Sequence, residues 1–193
     1  MKMTTILSIY KTPQTVLTLK DISLMLPHIP YDNLKRRLSY FVKLGHLKKL
    51  RRGVYAKEPY DVLELANKLY APSYISLETV LQRAGVIFQY YESIFAVSYL
   101  SRTVDVSSHT IVYRKIKKDI LLNKQGIEEQ GNIVIASPER AFLDAVFLYR
   151  NYYFDNLGTL NWDKIMEFKD LYESRAFTKR VREYYQIYKE DHA

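Results

Sequence analysis

The chain has 193 residues, of which 48% are hydrophobic and 26% charged, a composition typical of a globular protein rather than a disordered one. It has no cysteine, which excludes disulfides, thiol catalysis and thiolate metal sites. The net charge is +8, but residues 1–60 hold 12 Lys or Arg and 3 Asp or Glu, whereas residues 61–193 hold 17 and 18. This asymmetry predicts a polyanion-binding domain, 1–60, joined to a nearly neutral domain, 61–193.

Several further function classes find little support. No apolar run reaches the roughly 18–20 residues that a membrane span needs, and the first residues lack a signal peptide's apolar core. We therefore expect a cytoplasmic protein that does not associate with a membrane. The six glycines match no phosphate-binding loop, and the histidines at 28, 46, 109 and 192 lack ligand spacing. We expect neither a cofactor nor a metal.

The N-terminal residues predict two short helices. The first covers residues 4–10, where the apolar positions suit a scaffold helix. The second begins after Thr18, which is an N-cap residue type, and Asp21 stands at the N3 position of a capping box. Pro27 and Pro30 close this helix and open the next one, because proline is tolerated in a first turn and breaks a helix interior.

The stretch from Pro30 to Ala56 combines a basic amphipathic helix with a basic hairpin. Leu34, Leu38 and Phe41 share one helical face, and Gly45 suits the helix end. Residues 46–50 alternate between apolar and polar side chains like a strand, residues 51–53 form the predicted turn, and residues 54–56 form the second strand of the hairpin. Helix, helix, tight turn, helix and hairpin is the order of a winged helix-turn-helix, whose third helix enters the major groove of DNA.

The helical periodicity also predicts which side chains face outward to the DNA. We expect base contacts from the helix and phosphate contacts from both elements. The candidate DNA-binding residues are Asn33, Lys35, Arg36, Ser39, Tyr40 and Lys43 on the helix, and Lys48, Lys49, Arg51 and Arg52 on the hairpin. An alternative is that the hairpin lysines only protect an exposed sheet edge. Further candidates for phosphate contact in the second domain are Arg102, Arg114, Lys115, Lys117 and Lys118.

The second domain predicts a small sheet and several helices. Predicted helices cover residues 61–70, which link the domains, then 77–84, 138–149, 162–172 and 177–189, and predicted strands cover 94–99, 110–113 and 133–135. Ser76 and Ser137 are expected to start two of the helices, and Arg140 and Asp144 stand four apart, able to pair. The predicted fold class is α+β, an N-terminal winged helix-turn-helix followed by a mixed α/β C-terminal domain.

Enzymatic alternatives are weak, and we expect no enzyme. Asp155, Glu167 and Lys169 supply the residue types of a metal-dependent nuclease. However, residues two apart on a helix point about 200° from each other, so Glu167 and Lys169 would not share a metal. Asp105, Ser107 and His109 supply triad types without a nucleophile elbow, which favours surface polar groups.

Three segments together resemble a known family. They are LKRRLSYFVKLGHLKKLRRGVYA at 34–56, PSYISLETVLQRAGV at 72–86 and ASPERAFLDAVF at 136–147. The chain resembles the AbiEi-like antitoxin of the abortive-infection AbiE system, a type IV toxin–antitoxin family with an N-terminal winged helix-turn-helix. This resemblance implies repression of the protein's own operon through double-stranded operator DNA. It also implies antagonism, by the second domain, of a nucleotidyltransferase-like toxin encoded beside it, without a requirement for a stable complex.

Two other interpretations remain open. A stand-alone winged-helix transcriptional regulator would have a C-terminal domain that senses a ligand or dimerises. The segments 72–86 and 136–147 are also explained as caps and buried helices. The 18 tyrosines, most of them in residues 61–193, suit a protein interface and equally reflect codon bias.

Overall fold

The computed structural model describes residues 2–191, with side chains from residue 5 onward; Met1, His192 and Ala193 lie outside the described residues. The chain is a mixed α+β fold, which confirms the predicted class at this level. The helices are α1 Lys2–Lys11, α2 Leu19–Met25, α3 Tyr31–Lys43, α4 Val62–Leu69, α5 Glu78–Arg83, α6 Lys118–Leu122, α7 Pro138–Leu148, α8 Trp162–Phe168 and α9 Arg175–Asp191. The strands are β1 Val16–Thr18, β2 Lys48–Arg51, β3 Val54–Ala56, β4 Ser73–Ile75, β5 Ile94–Ser98, β6 Arg102–Val106, β7 His109–Lys115, β8 Ile127–Gln130 and β9 Ile133–Ala136.

Three helices and a small antiparallel sheet form residues 2–60, here called the N-terminal segment. The capping box of α2 is confirmed, because Thr18 Oγ1 accepts from the Asp21 N–H at 3.1 Å and Asp21 Oδ2 accepts from the Thr18 N–H at 2.9 Å. The sheet has the order β1-β3-β2. Strand β1 was not predicted, and Arg51, which was predicted to lie in the turn, ends β2 instead.

The amphipathic pattern of α3 is confirmed by its burial. Leu34 and Leu38 are fully buried, and Phe41 is nearly so, in a core shared with α1 and α2. Gly45 follows the helix with φ +74, a conformation that glycine adopts without steric cost. Pro30 is the N-cap of α3 rather than a residue of its first turn.

Strands β1 and β3 of the small sheet are buried on both faces, whereas β2 is largely exposed. Leu17 and Tyr55 pack into the N-terminal core beside α2 and α3. Val16, Val54 and Ala56 point the other way and belong to the large core that fills the rest of the protein. Residues on both sides of position 60 therefore share one continuous apolar core.

Residues 61–191, here called the C-terminal segment, are built on a six-stranded sheet of order β6-β7-β5-β4-β9-β8. The three predicted strands do share this sheet, as β5, β7 and β9, whereas β4, β6, β8 and the short α6 were missed. Tyr113 on one face donates to the Ala66 carbonyl of α4 at 2.7 Å. Tyr74 on the other face donates to Asp144 of α7 at 3.2 Å. The sheet thus lies between α4 on one side and α5 and α7 on the other.

The predicted pair of Arg140 and Asp144 is confirmed inside a buried polar cluster. Both side chains have no exposed surface, and Arg140 Nε lies 3.4 Å from Asp144 Oδ1. Asp144 also accepts from Tyr172 Oη at 2.7 Å and from Ser76 Oγ at 2.8 Å. Ser76 therefore does not cap α5 as expected, and Leu77 holds the N-cap position instead. Ser137 does cap α7, accepting from the Arg140 N–H at 3.2 Å.

The C-terminal helices end the fold with an aromatic cluster. Helix α8 stops at Phe168 and continues as a 3-10 turn to Tyr172, and α9 starts two residues before its predicted beginning. Tyr184 donates to the Tyr152 carbonyl at 2.6 Å, while Tyr185 and Tyr188 pack against Trp162. Much of the late tyrosine content is thus used in internal packing. No helix within residues 2–191 is both long and apolar enough to cross a membrane.

Candidate nucleic-acid interface

Helix α3 displays all six of its candidate residues on the exposed side. Arg36 Nη2 donates to Asn33 Oδ1 at 2.6 Å, a contact that holds the guanidinium one helical turn along the exposed face. Tyr40 is 42% exposed, with its ring edge on Phe41. Arg37, which is not among the candidates, is half-buried and donates to Thr5 Oγ1 at 2.9 Å.

The hairpin divides its four basic candidates between two faces. Residues directly opposite each other in an antiparallel pair point to the same face. Lys49 is opposite Tyr55, whose ring packs on the N-terminal core. Lys48 is opposite Ala56, and a register shift between Lys49 and Arg51 places Arg51 opposite Val54. Both Ala56 and Val54 pack on the large core. Lys48 and Arg51 therefore lie on the side of the C-terminal segment, whereas Lys49 lies on the side of the helices and Arg52 lies in the turn.

Contacts with tyrosines agree with this division. Lys48 Nζ lies 5.8 Å from the ring centre of Tyr60, and Arg51 Nη1 donates to Tyr70 Oη at 3.2 Å. The hydrogen bond from Lys48 to Glu58, at 2.9 Å, raises the pKa of Lys48. Lys48 therefore remains protonated over the whole neutral range.

The charge of the candidate surface is mostly uncompensated. Of its seven Lys and Arg side chains, Lys35 has an ion pair with Asp32, at 3.5 Å, and Lys48 has one with Glu58. For the other five, no carboxylate of residues 5–191 lies within ion-pair distance. They are Arg36, Lys43, Lys49, Arg51 and Arg52. An exposed group of unpaired cations on adjoining elements is the electrostatic arrangement that binds polyanions.

The five basic candidates of the C-terminal segment are all exposed, but they do not form one surface. Arg114 lies 5.9 Å from the ring centre of Tyr149, and Lys117 lies 5.9 Å from that of Phe147, both on the α7 side of the sheet. Arg102 lies 5.8 Å from the ring centre of Tyr70, on the hairpin side. The sheet therefore separates Arg102 from the other two.

The enzymatic candidates are not assembled into a site. Asp105 is opposite Thr110, from which it accepts a hydrogen bond at 2.7 Å. His109 is opposite Val106, so it points to the other face of the hairpin. Asp155 accepts from the Phe88 N–H at 2.7 Å. Among the residues that the structure describes, no cluster of three or more acidic or histidine side chains is placed to hold a metal ion.

Comparison with known proteins adds no family to these observations. No protein-family model matches the chain, and no curated protein matches it significantly. The geometry and the charge of the side chains therefore carry the functional argument.

Proposed function

We propose that this protein is a winged helix-turn-helix DNA-binding repressor, with α2 and α3 as the helix-turn-helix and the β2–β3 hairpin as the wing. The observation that carries the proposal is the exposure of all ten candidate residues on adjoining elements with mostly unpaired positive charge. A 13-residue helix such as α3 fits the major groove, where arginine forks read guanine edges.

The two elements would have different roles in binding. Arg36 is held by Asn33 on the exposed face of α3, which suits a directed contact to a base edge. Arg52 lies in the wing turn and is exposed, which suits a contact to the phosphate backbone. Backbone contacts fix the position of the protein, and base contacts fix the sequence that it selects.

We further propose that the repressor acts as a type IV antitoxin in the cytoplasm, without enzymatic activity. This part of the proposal depends on the resemblance of segments 72–86 and 136–147 to AbiEi-like antitoxins. The two segments meet in the buried cluster, where Ser76 and Tyr74 of the first contact Asp144 of the second. On this proposal the two segments supply the scaffold, and antagonism of the nucleotidyltransferase-like toxin would depend on exposed residues or on repression of its gene.

A stand-alone regulator that senses a ligand is the second candidate. It is favoured by a cleft of about 420 Å³ next to the linking helix α4, a volume within the range of small-molecule sites. Asn67 and Lys68 of α4 line the cleft together with Leu121, Ile127 and Val134. A ligand there would contact the helix that joins the two segments.

DNA binding is tested with two arginine variants of the full chain and with duplexes from the protein's own upstream region and of random sequence. Arg36→Ala should weaken upstream binding by about 1–3 kcal/mol and leave random binding nearly unchanged, as expected for a lost base contact. Arg52→Ala should weaken both equally. Fluorescence anisotropy measures both affinities, and Arg83→Ala, an exposed arginine of α5, is the control. Absence of binding by the unaltered protein to either duplex would refute the proposal.

The antitoxin role is tested by co-expression with a nucleotidyltransferase-like gene adjacent to the protein's own gene. The full chain carrying Arg36→Ala, Arg51→Ala and Arg52→Ala should still restore growth, because neutralisation is assigned to the C-terminal segment. A loss of rescue by this folded variant would leave repression as the means of antagonism. Absence of such a neighbouring gene would favour the stand-alone regulator.

A further inference from the structure

Two arginines, one from each segment, meet at the ring of Tyr70. This tyrosine follows α4, is half-buried, and packs edge-on against Tyr113 with ring centres 4.9 Å apart. The guanidinium carbon of Arg51 lies 5.9 Å from the Tyr70 ring centre, and that of Arg102 lies 5.8 Å from it. Arg51 also donates to Tyr70 Oη at 3.2 Å. The wing of the N-terminal segment and the edge strand β6 of the C-terminal segment thus each place a guanidinium group beside the same tyrosine ring.

Both charges are free of carboxylate partners. Within residues 5–191, no Asp or Glu oxygen forms an ion pair with Arg51 or Arg102. The acid on the same strand as Arg102 is Asp105, which is three positions away and therefore points to the opposite face of β6. Asp105 also accepts from Thr110. The tyrosine ring orients the two guanidinium groups but does not neutralise them.

Lys115 is a further exposed cation near Arg102. Arg102 is opposite Tyr113 in the β6–β7 pair, and Lys115 stands two positions after Tyr113, so all three point to the same face of the sheet. Lys115 is exposed, and its N–H donates to Ser101 Oγ at 3.0 Å, beside Arg102. Arg102 and Lys115 therefore lie on the face of the sheet where Tyr113 contacts Tyr70, the tyrosine that Arg51 of the wing also contacts.

We propose that Arg51 and Arg102 form a composite phosphate site through which the C-terminal segment contacts the same duplex that α3 and the wing bind. This inference rests on the proposed function. Arginine suits the role, because its planar fork matches phosphate oxygens in a bidentate arrangement and remains charged at any working pH. Duplex DNA carries a charge about every 1.7 Å along its axis, so a duplex against the wing continues to present phosphates beyond it. Residues 61–193 are nearly neutral as a whole, so their net charge does not indicate a local phosphate contact by Arg102.

The site is tested by the salt dependence of binding of the full chain to a random-sequence duplex. Arg102→Gln should reduce affinity at low salt and lower the slope of log K against log salt by about 0.9, the value for one lost phosphate contact. Arg102→Glu should reduce affinity further. Arg83→Gln removes the same charge from α5, on the opposite side of the sheet, and should leave the slope unchanged. Circular dichroism verifies that each variant is folded.

The outcomes separate this inference from the proposed function. If the unaltered protein binds with a steep slope and Arg102→Gln behaves like Arg83→Gln, the composite site is refuted and the winged helix remains the binding surface. If the unaltered protein does not bind the duplex, both proposals are refuted. A slope that falls for Arg102→Gln alone supports the contribution of the C-terminal segment.

Discussion

Substitution of Asp144 tests whether the buried polar cluster holds the C-terminal segment together. Asp144→Ala would leave the Arg140 guanidinium without its counter-charge at a position with no exposed surface. It would also remove the acceptor of Ser76 and Tyr172, at 2.8 and 2.7 Å, and that of Tyr74. Burial raises the pKa of the Asp144 carboxyl, while Arg140 and the three hydroxyl donors oppose that rise. The two carboxyl oxygens therefore accept from Arg140 and from all three hydroxyls.

The expected cost follows from the burial of the pair. Removing one partner of a buried ion pair destabilises a protein by about 3–5 kcal/mol, because the other charge remains without compensation. This is a large share of the roughly 5–15 kcal/mol by which domains are stable. Arg140 keeps its bonds to the Ile120 and Gln125 carbonyls, at 2.7 and 2.8 Å, which places the expected loss at the lower end of that range.

Urea unfolding followed by circular dichroism measures the loss, and α9 supplies the control. Lys179 and Glu183 have the same four-residue spacing but side chains that are 80% and 59% exposed. Glu183→Ala should change the free energy of unfolding by less than about 0.5 kcal/mol. If Asp144→Ala gives too little folded protein, Asp144→Asn keeps the shape and removes the charge. A loss below about 1 kcal/mol for either Asp144 variant would refute the structural role of the cluster.

Two further predictions concern stability. Gly126→Ala should lower the free energy of unfolding by about 2–4 kcal/mol, because φ is +68 and a new Cβ would lie 2.8 Å from Arg140 Cβ and 2.9 Å from a Phe168 ring carbon. Gly131 has a similar φ, +62, but open space around the position of a Cβ. Gly131→Ala should therefore cost only the part due to backbone strain, in the same urea assay. Burial raises the pKa of Asp21, but the Thr18 N–H and Lys68 outweigh it and leave that pKa below its ordinary value. Asp21→Asn should therefore destabilise the protein by about 0.5–1 kcal/mol at neutral pH. The difference in stability between the two proteins should vanish as the pH falls through the lowered pKa of Asp21. A difference that persists at pH 2 would contradict the stabilising role of the ionised Asp21 carboxylate.

Local signals in the sequence were enough for much of the fold. The capping residues of α2, the apolar face of α3 and the serine cap of α7 each act within one turn of helix, so they can be recognised without knowledge of the tertiary structure. The missed strands depend on distant partners. Strand β4 has three residues and pairs with β5 and β9, and β8 is polar because it lies at the sheet edge. Ser76 has the residue type of a helix cap, but its hydroxyl donates to Asp144, which is 68 positions away.

The exposed face of the candidate interface could likewise be predicted, but the orientation of the hairpin could not. Helical periodicity sorts α3 correctly, because its buried face is set by positions three and four apart. Lys48 and Arg51 lie on the side of the C-terminal segment because that segment packs against this face of the small sheet, which is a tertiary contact. One signal was available, since Val54, Tyr55 and Ala56 are apolar at every position, a pattern that indicates a strand buried on both faces.

Helix α4 connects the N-terminal segment to the large sheet through its polar side chains. Glu64, 1% exposed, accepts from both the N–H and the hydroxyl of Thr15, at 2.8 and 2.6 Å. Asn67 exchanges bonds with Val134 of β9 at 3.2 and 2.8 Å, and Lys68 reaches Asp21 of α2 at 3.0 Å. Cutting the chain between residues 60 and 61 would separate Glu64 and Lys68 from these partners and expose apolar residues of the shared core. A loss of the proposed toxin antagonism or DNA binding in a truncated chain would therefore not distinguish instability from loss of function. Only surface substitutions in the full chain separate the two.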